Sequence, residues 1–123
     1  MKHLALIAIA GAVGAMARYT LVNLVGGRNF PWGTLTVNIL GSLLMGVAYI
    51  IIVEKSLISP EMKPLFMTGF LGAFTTFSAF SLEAWELLDR GEALQALTYV
   101  AGSVIFCLMA VMLGVFITRL ALN

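Results

Sequence analysis

The sequence predicts an all-α integral membrane protein of four transmembrane helices. Three observations lead there: 61% of the 123 residues are hydrophobic, only 11% are charged, and uncharged stretches recur at lengths that match a bilayer. A soluble chain carries about 25% charged and about 45–50% apolar residues, so this one lacks the charge to cover a water-facing surface. Mean hydropathy is +1.03. Each span needs roughly 20 apolar residues, which allows at most about six spans and, with connections, four. Residues 1–123 therefore read as a single transmembrane domain embedded in lipid. A formal net charge of +1 gives no basic surface, which excludes nucleic acid as a partner.

The first span covers about 4–25: Leu4 to Ala17 is apolar, Arg18 interrupts, and Tyr19 to Val25 resumes. Lys2 with Ala15 and Ala17 also fits a cleavable leader. The apolar stretch continues past Arg18, however, and three more hydrophobic segments follow, so the first helix is expected to stay. Gly26, Gly27, Arg28, Asn29 and Pro31 make a turn-rich connection. The second span, about 33–53, is uncharged until Glu54 and Lys55. Ser59 then reads as a helix N-cap, Pro60 as a first helical residue and Glu61 as a first-turn acid. The third span, about 62–88, ends at a tight Asp89-Arg90-Gly91 turn. That short link makes it an antiparallel neighbour of the fourth span, about 93–120.

Lys and Arg in short loops set orientation. The side bearing both termini has Lys2, Lys55, Lys63 and Arg119, and the other has Arg28 and Arg90, with Arg18 embedded. So weak a bias leaves two readings: a termini-inside protein, or one that inserts both ways and pairs antiparallel.

Polar side chains inside spans mark a pathway or a helix interface. In the first span Gly11, Gly14, Ala15 and Arg18 share one face; Arg18 either faces protein or a wet vestibule, or snorkels to headgroups. Thr34, Asn38 and Ser42 form a stripe on the second span. Asn38 offers two donors and an acceptor, and serves as helix-to-helix glue or as a pathway group. Tyr99, Ser103 and Cys107 form a similar stripe on the fourth. Between Gly69 and Ser81 the third span carries Gly69, Gly72, Thr75, Thr76, Ser78 and Ser81, which is poor material for a continuous helix. A break is predicted near Gly72 to Thr76. Freed carbonyls there suit a cation, and amides and hydroxyls suit an anion. Phe74, Phe77 and Phe80 recur every third residue; they either pack the core or turn positive ring edges to a path. The spans hold one buried Arg and no embedded acid before Glu83, so the polar route suits a small anion better than a cation. One Cys and one His, His3 at the terminus, cannot build a zinc cage or a nucleophile-base pair, so an enzyme is not expected.

Three blocks carry a family resemblance: Gly11 to Tyr19 (GAVGAMARY), Gly33 to Gly41 (GTLTVNILG) and Gly69 to Glu83 (GFLGAFTTFSAFSLE). They resemble the signature blocks of the Fluc (CrcB-like) fluoride channels, over essentially the whole chain. The resemblance implies a multi-pass channel of the bacterial inner membrane that exports fluoride passively, built as an antiparallel, dual-topology homodimer with two pores and a broken third helix. It implies a structural sodium ion (Na+) at the dimer centre on the backbone carbonyls of Gly72 and Thr75. By motif position Phe77 and Phe80 line the pore and Asn38 is its amide. Ser78, Ser81, Thr34, Tyr99 and Ser103 fall on its polar track, and Arg18 and Glu83 in its vestibules. Two residues depart from the pattern: Ala79 stands where the family usually has Thr, and Cys107 where Ser is often found.

Two other classes compete. A small multidrug antiporter needs an embedded carboxylate in its first helix to exchange protons, where this chain has Arg18. A non-conducting assembly protein explains the small residues but not the disrupted third span.

Overall fold

In a computed structural model, which describes residues 2–123, the chain is helical, with no strand among the described residues. Helix α1 runs Lys2–Val25 and α2 runs Trp32–Ala48, continuing as a π-helical stretch over Tyr49–Glu54. A 3-10 turn at Pro60–Met62 and a π-helical segment at Pro64–Leu71 lead into the short α3, Gly72–Phe74. Helix α4 spans Phe77–Asp89 and α5 spans Ala93–Leu122. Grouped by length and hydropathy, these elements give four candidate membrane spans, Lys2–Val25, Trp32–Glu54, Pro60–Asp89 and Ala93–Leu122. The all-helical, multi-pass membrane architecture predicted from composition is what the structure has.

Local signals account for the ends. The Ser59 hydroxyl accepts the Glu61 N–H at 3.3 Å, starting the Pro60 turn. Gly91, at φ +79°, supplies the left-handed residue that ends α4 after Arg90. Arg119 near the end of α5 donates from Nε to both Glu54 carboxylate oxygens, at 3.0 and 3.2 Å, and ties the fourth span to the end of the second.

Lipid tails are as apolar as leucine, so helices in a membrane associate through close packing rather than through hydrophobic collapse. The α2–α5 pair does this with glycine. A Cβ on Gly46 would collide with the Val111 carbonyl oxygen, and one on Gly114 with that of Leu43, so the two backbones touch. Around this pair, α1 packs on the Pro64–Leu71 segment and α3, and α4 packs on α5. The buried cluster at the α4 end joins Phe80, Ala84 and Leu87 to Ala96 and Tyr99, with Phe30 and Leu35 packed against it.

Candidate functional site

The third span leaves helical dihedrals at two residues. Helical backbone stops at Phe74; Thr75 (φ −96°, ψ 161°) and Thr76 (φ −153°, ψ 124°) are extended; helix resumes at Phe77. In a continuous helix the N–H of residue i+4 fills each carbonyl, and here side chains intercept those donors. The Thr76 N–H goes to Asn38 Oδ1 at 2.8 Å instead of to Gly72. The Ala79 N–H goes to Thr76 Oγ1 at 3.1 Å instead of to Thr75. Asn38 also donates from Nδ2 to the Thr76 carbonyl at 3.0 Å. The carbonyl of Ala73 receives Arg18 Nε at 3.1 Å, and that of Leu71 receives both the Thr75 N–H, at 3.1 Å, and its hydroxyl, at 3.0 Å. The helical partners of Gly72 and Thr75 have thus been drawn off, while the carbonyls on either side of Gly72 are covered.

Beside this segment lies a groove of about 390 Å³ between α2 and α5. Its polar lining is Asn38, Ser42, Thr75, Thr76 and Ser103, its aromatic lining Phe77 and Phe80, and no acidic residue borders it. Gly41 brings α2 against the segment, since a Cβ there would collide with Thr75 Cγ2. Ser103 is 6% exposed, and its Oγ is a buried hydroxyl without a hydrogen-bond partner. Phe77, 77% exposed, leans on Phe80 with ring centroids 5.4 Å apart, and Phe80 in turn on Tyr99 at 5.1 Å.

A second polar cluster sits one helical turn along. The Glu83 carboxylate accepts from Thr34 Oγ1 at 2.9 Å and from the Tyr99 hydroxyl at 3.1 Å. Tyr99 is fully buried. Glu83 also borders a polar recess of about 160 Å³ with Arg28, Asn29, Glu86 and Arg90. The carboxylate therefore stands between the hydroxyl pair and the loop side.

Of the residues singled out from sequence, the groove gathers Asn38, Thr75, Phe77, Phe80 and Ser103, and the Glu83 cluster gathers Thr34 and Tyr99. Gly72 is on the exposed side of α3. Ser78 and Ser81 are exposed and outside the groove lining; the Ser81 hydroxyl donates to the Phe77 carbonyl at 2.9 Å. Phe74 is buried and stacks on Phe70 at 5.8 Å, away from the Phe77–Phe80 pair. Arg18 meets protein through the bond from its Nε to the Ala73 carbonyl. Sequence reasoning passed over Thr76 as an individual residue, although it forms three of the contacts described. Its signal is an N-cap Thr just ahead of the apolar run that opens α4.

In a helical multi-pass membrane protein, amides, hydroxyls and ring edges around a groove without an acidic residue are suited to the class of ion-conducting membrane proteins. The comparisons agree. The chain belongs to the CrcB-like family: the family model described as "CrcB-like protein, Camphor Resistance (CrcB)" matches residues 5–115. It is 53% identical to a fluoride-specific ion channel FluC of Hahella chejuensis, with 99% of this chain and 98% of that relative covered. Fluoride-specific ion channels FluC of Magnetococcus marinus (46% identical, 96% and 98% covered) and Rhizobium meliloti (44%, 97% and 98%) are similar over nearly the whole length.

Proposed function

We propose that this chain is a fluoride-selective channel that lets fluoride leave the cytoplasm passively across a bacterial inner membrane. The observation that carries the reading is the groove: donors and ring edges without a carboxylate, in a chain whose full-length relatives bear the name of fluoride channels. Fluoride is small and strongly hydrated, so a dry path has to replace its water with several donors. Ser103 Oγ has a hydrogen bond to give, and Asn38 keeps one amide N–H after its bond to Thr76. Phe77 and Phe80 supply positive ring edges. At Glu83 the hydroxyls of Thr34 and Tyr99 already donate to a carboxylate, so an anion arriving there takes them by exchange.

The working assembly in this reading is an antiparallel, dual-topology homodimer with two pores. The exposure of Phe77, 77% beside the groove, supports a partner at that point. A structural Na+ at the dimer centre fits the donor set. The carbonyls of Gly72 and Thr75 are the ones whose helical N–H partners go to Asn38 and Thr76 Oγ1, and hard cations take oxygen ligands. Such an ion would neutralise helix C-terminal ends brought together.

Purified protein in liposomes tests the proposal. A fluoride gradient is expected to discharge far faster than a chloride gradient, with slower discharge after Phe80→Ile. Equal fluoride and chloride rates, or none from well-folded protein, would overturn it.

A further inference from the structure

Glu83 sets an electrostatic problem for any anion that approaches from the loop side. Its carboxylate holds the Thr34 and Tyr99 hydroxyls, the Tyr99 ring lies 5.1 Å from that of Phe80 on the groove lining, and the same carboxylate borders the polar recess of about 160 Å³. A fixed negative charge at that junction repels an anion unless a cation offsets it. The ion pairs among the described residues are Arg90 with Glu92, at 3.5 Å, and Arg119 with Glu54, so no arginine or lysine lies against Glu83. The offset has to come from across the recess. Its lining holds two cations, Arg28 and Arg90, beside Glu83 and Glu86. Arg90 is shared with Glu92. Arg28, an exposed loop residue with no ion-pair partner among the described residues, is the positive charge left over.

We propose that Arg28 gathers small inorganic anions at the mouth of this recess and so sets how often they reach Glu83 and the groove behind it. A charged cleft with low-dielectric walls concentrates ions of opposite sign. The action is through the field rather than through a fixed bond, so a lysine at the same place suffices. One charge acting across several ångströms of water raises the local anion concentration by on the order of twofold at about 0.1 M ionic strength, and by almost nothing at about 1 M, where the Debye length is about 3 Å. The consequence for fluoride flux rests on the channel reading above; the gathering of anions does not.

Trp32 reports on the recess directly. It is 55% exposed, and its ring centroid lies 4.6 Å from that of Phe30, which belongs to the recess lining. With Trp85→Phe in every sample, Trp32 is the sole tryptophan, and its quenching by iodide is compared with that by neutral acrylamide in the purified full chain. At about 0.1 M ionic strength the iodide-to-acrylamide ratio is expected to fall about twofold in Arg28→Gln, to stay at the parent value in Arg28→Lys, and to converge for all three at about 1 M. An unchanged ratio in Arg28→Gln overturns the proposal, as does a loss that persists at high salt or appears equally in Arg28→Lys. Fluoride efflux from proteoliposomes is then expected to fall about twofold in Arg28→Gln at the lower ionic strength and to remain at the parent rate in Arg28→Lys. A quenching response without a change in efflux overturns the placement of the recess on the path. Absence of fluoride flux in the parent speaks against the channel reading alone, and the quenching still decides whether Arg28 gathers anions.

Discussion

Truncating Asn38 to alanine separates the two things its amide does. The side chain accepts the Thr76 N–H at 2.8 Å and donates to the Thr76 carbonyl at 3.0 Å, so Asn38→Ala strands both groups. A net hydrogen bond contributes about 0.5–1.5 kcal/mol, and in membrane proteins the average falls nearer ~0.6 kcal/mol because freed groups find other partners. Here the freed N–H has one by helical geometry, the Gly72 carbonyl, if Thr75 and Thr76 rotate toward helical dihedrals. The expected loss of stability is therefore modest, about 1–2 kcal/mol, or roughly 5- to 30-fold in the folding equilibrium. The functional loss should be larger, since that rotation refills the carbonyl and reshapes the groove wall; we expect fluoride efflux to fall at least ~10-fold. Asn38→Asp is the control. It keeps the acceptor for Thr76 N–H and so most of the stability, but it sets a negative charge in the groove and should abolish anion flux. Chemical denaturation in detergent and liposome efflux read the two effects. Parent-like efflux in both variants would refute the reasoning, as would a stability loss in Asn38→Asp as large as that in Asn38→Ala.

Glu83→Gln leaves one carbonyl acceptor for the two donors Thr34 and Tyr99, so one hydroxyl has to turn from donating to accepting from the new amide; efflux is expected to change several-fold, and an unchanged rate would show that the cluster lies off the path. Gly114→Val forces the Leu43 carbonyl away from α5 and should cost about 1–3 kcal/mol as overpacking does, read by the denaturation midpoint. Gly41→Ala meets a side-chain methyl of Thr75 rather than backbone, so its effect should appear in efflux more than in stability. Arg18→Met removes the cap on the Ala73 carbonyl; thermal stability is expected to drop, with partial recovery in Arg18→Lys, which can still donate one bond.

Four spans were legible because hydrophobic length is a property of composition along the chain, and a backbone in lipid has few ways to satisfy itself. The stripes on the second and fourth spans were legible for the same reason, as period and polarity are local. What the stripes touch was not. Asn38 and Thr76 are 38 positions apart, and nothing in either segment names the other. Ser103 and Tyr99 share a stripe, yet one hydroxyl is unpartnered while the other is bound to Glu83. Phe74 and Phe77 share a spacing of three that would align them on one helix, but the extended dihedrals of Thr75 and Thr76 turn them to different neighbours. Period arguments fail wherever the backbone leaves the helix that defines the period.

If the chain conducts fluoride as proposed, the same partner exchange bears on how a strongly hydrated anion passes without being trapped. A site of several free, preorganised donors would hold fluoride tightly, because hydrogen bonds to an ion are about twice as strong as neutral ones. Most donors of the groove and the Glu83 cluster are already engaged: one Asn38 N–H with Thr76, and Thr34 and Tyr99 with Glu83. Each new bond to the ion at those points displaces an existing one, so the net gain per step is a difference between two hydrogen bonds rather than a whole one. The exceptions are Ser103, with its unpartnered hydroxyl, and the second amide N–H of Asn38, and in that reading the ion should dwell longest beside them. A pathway built mainly of occupied donors keeps its wells shallow, and shallow, successive wells are what conduction requires.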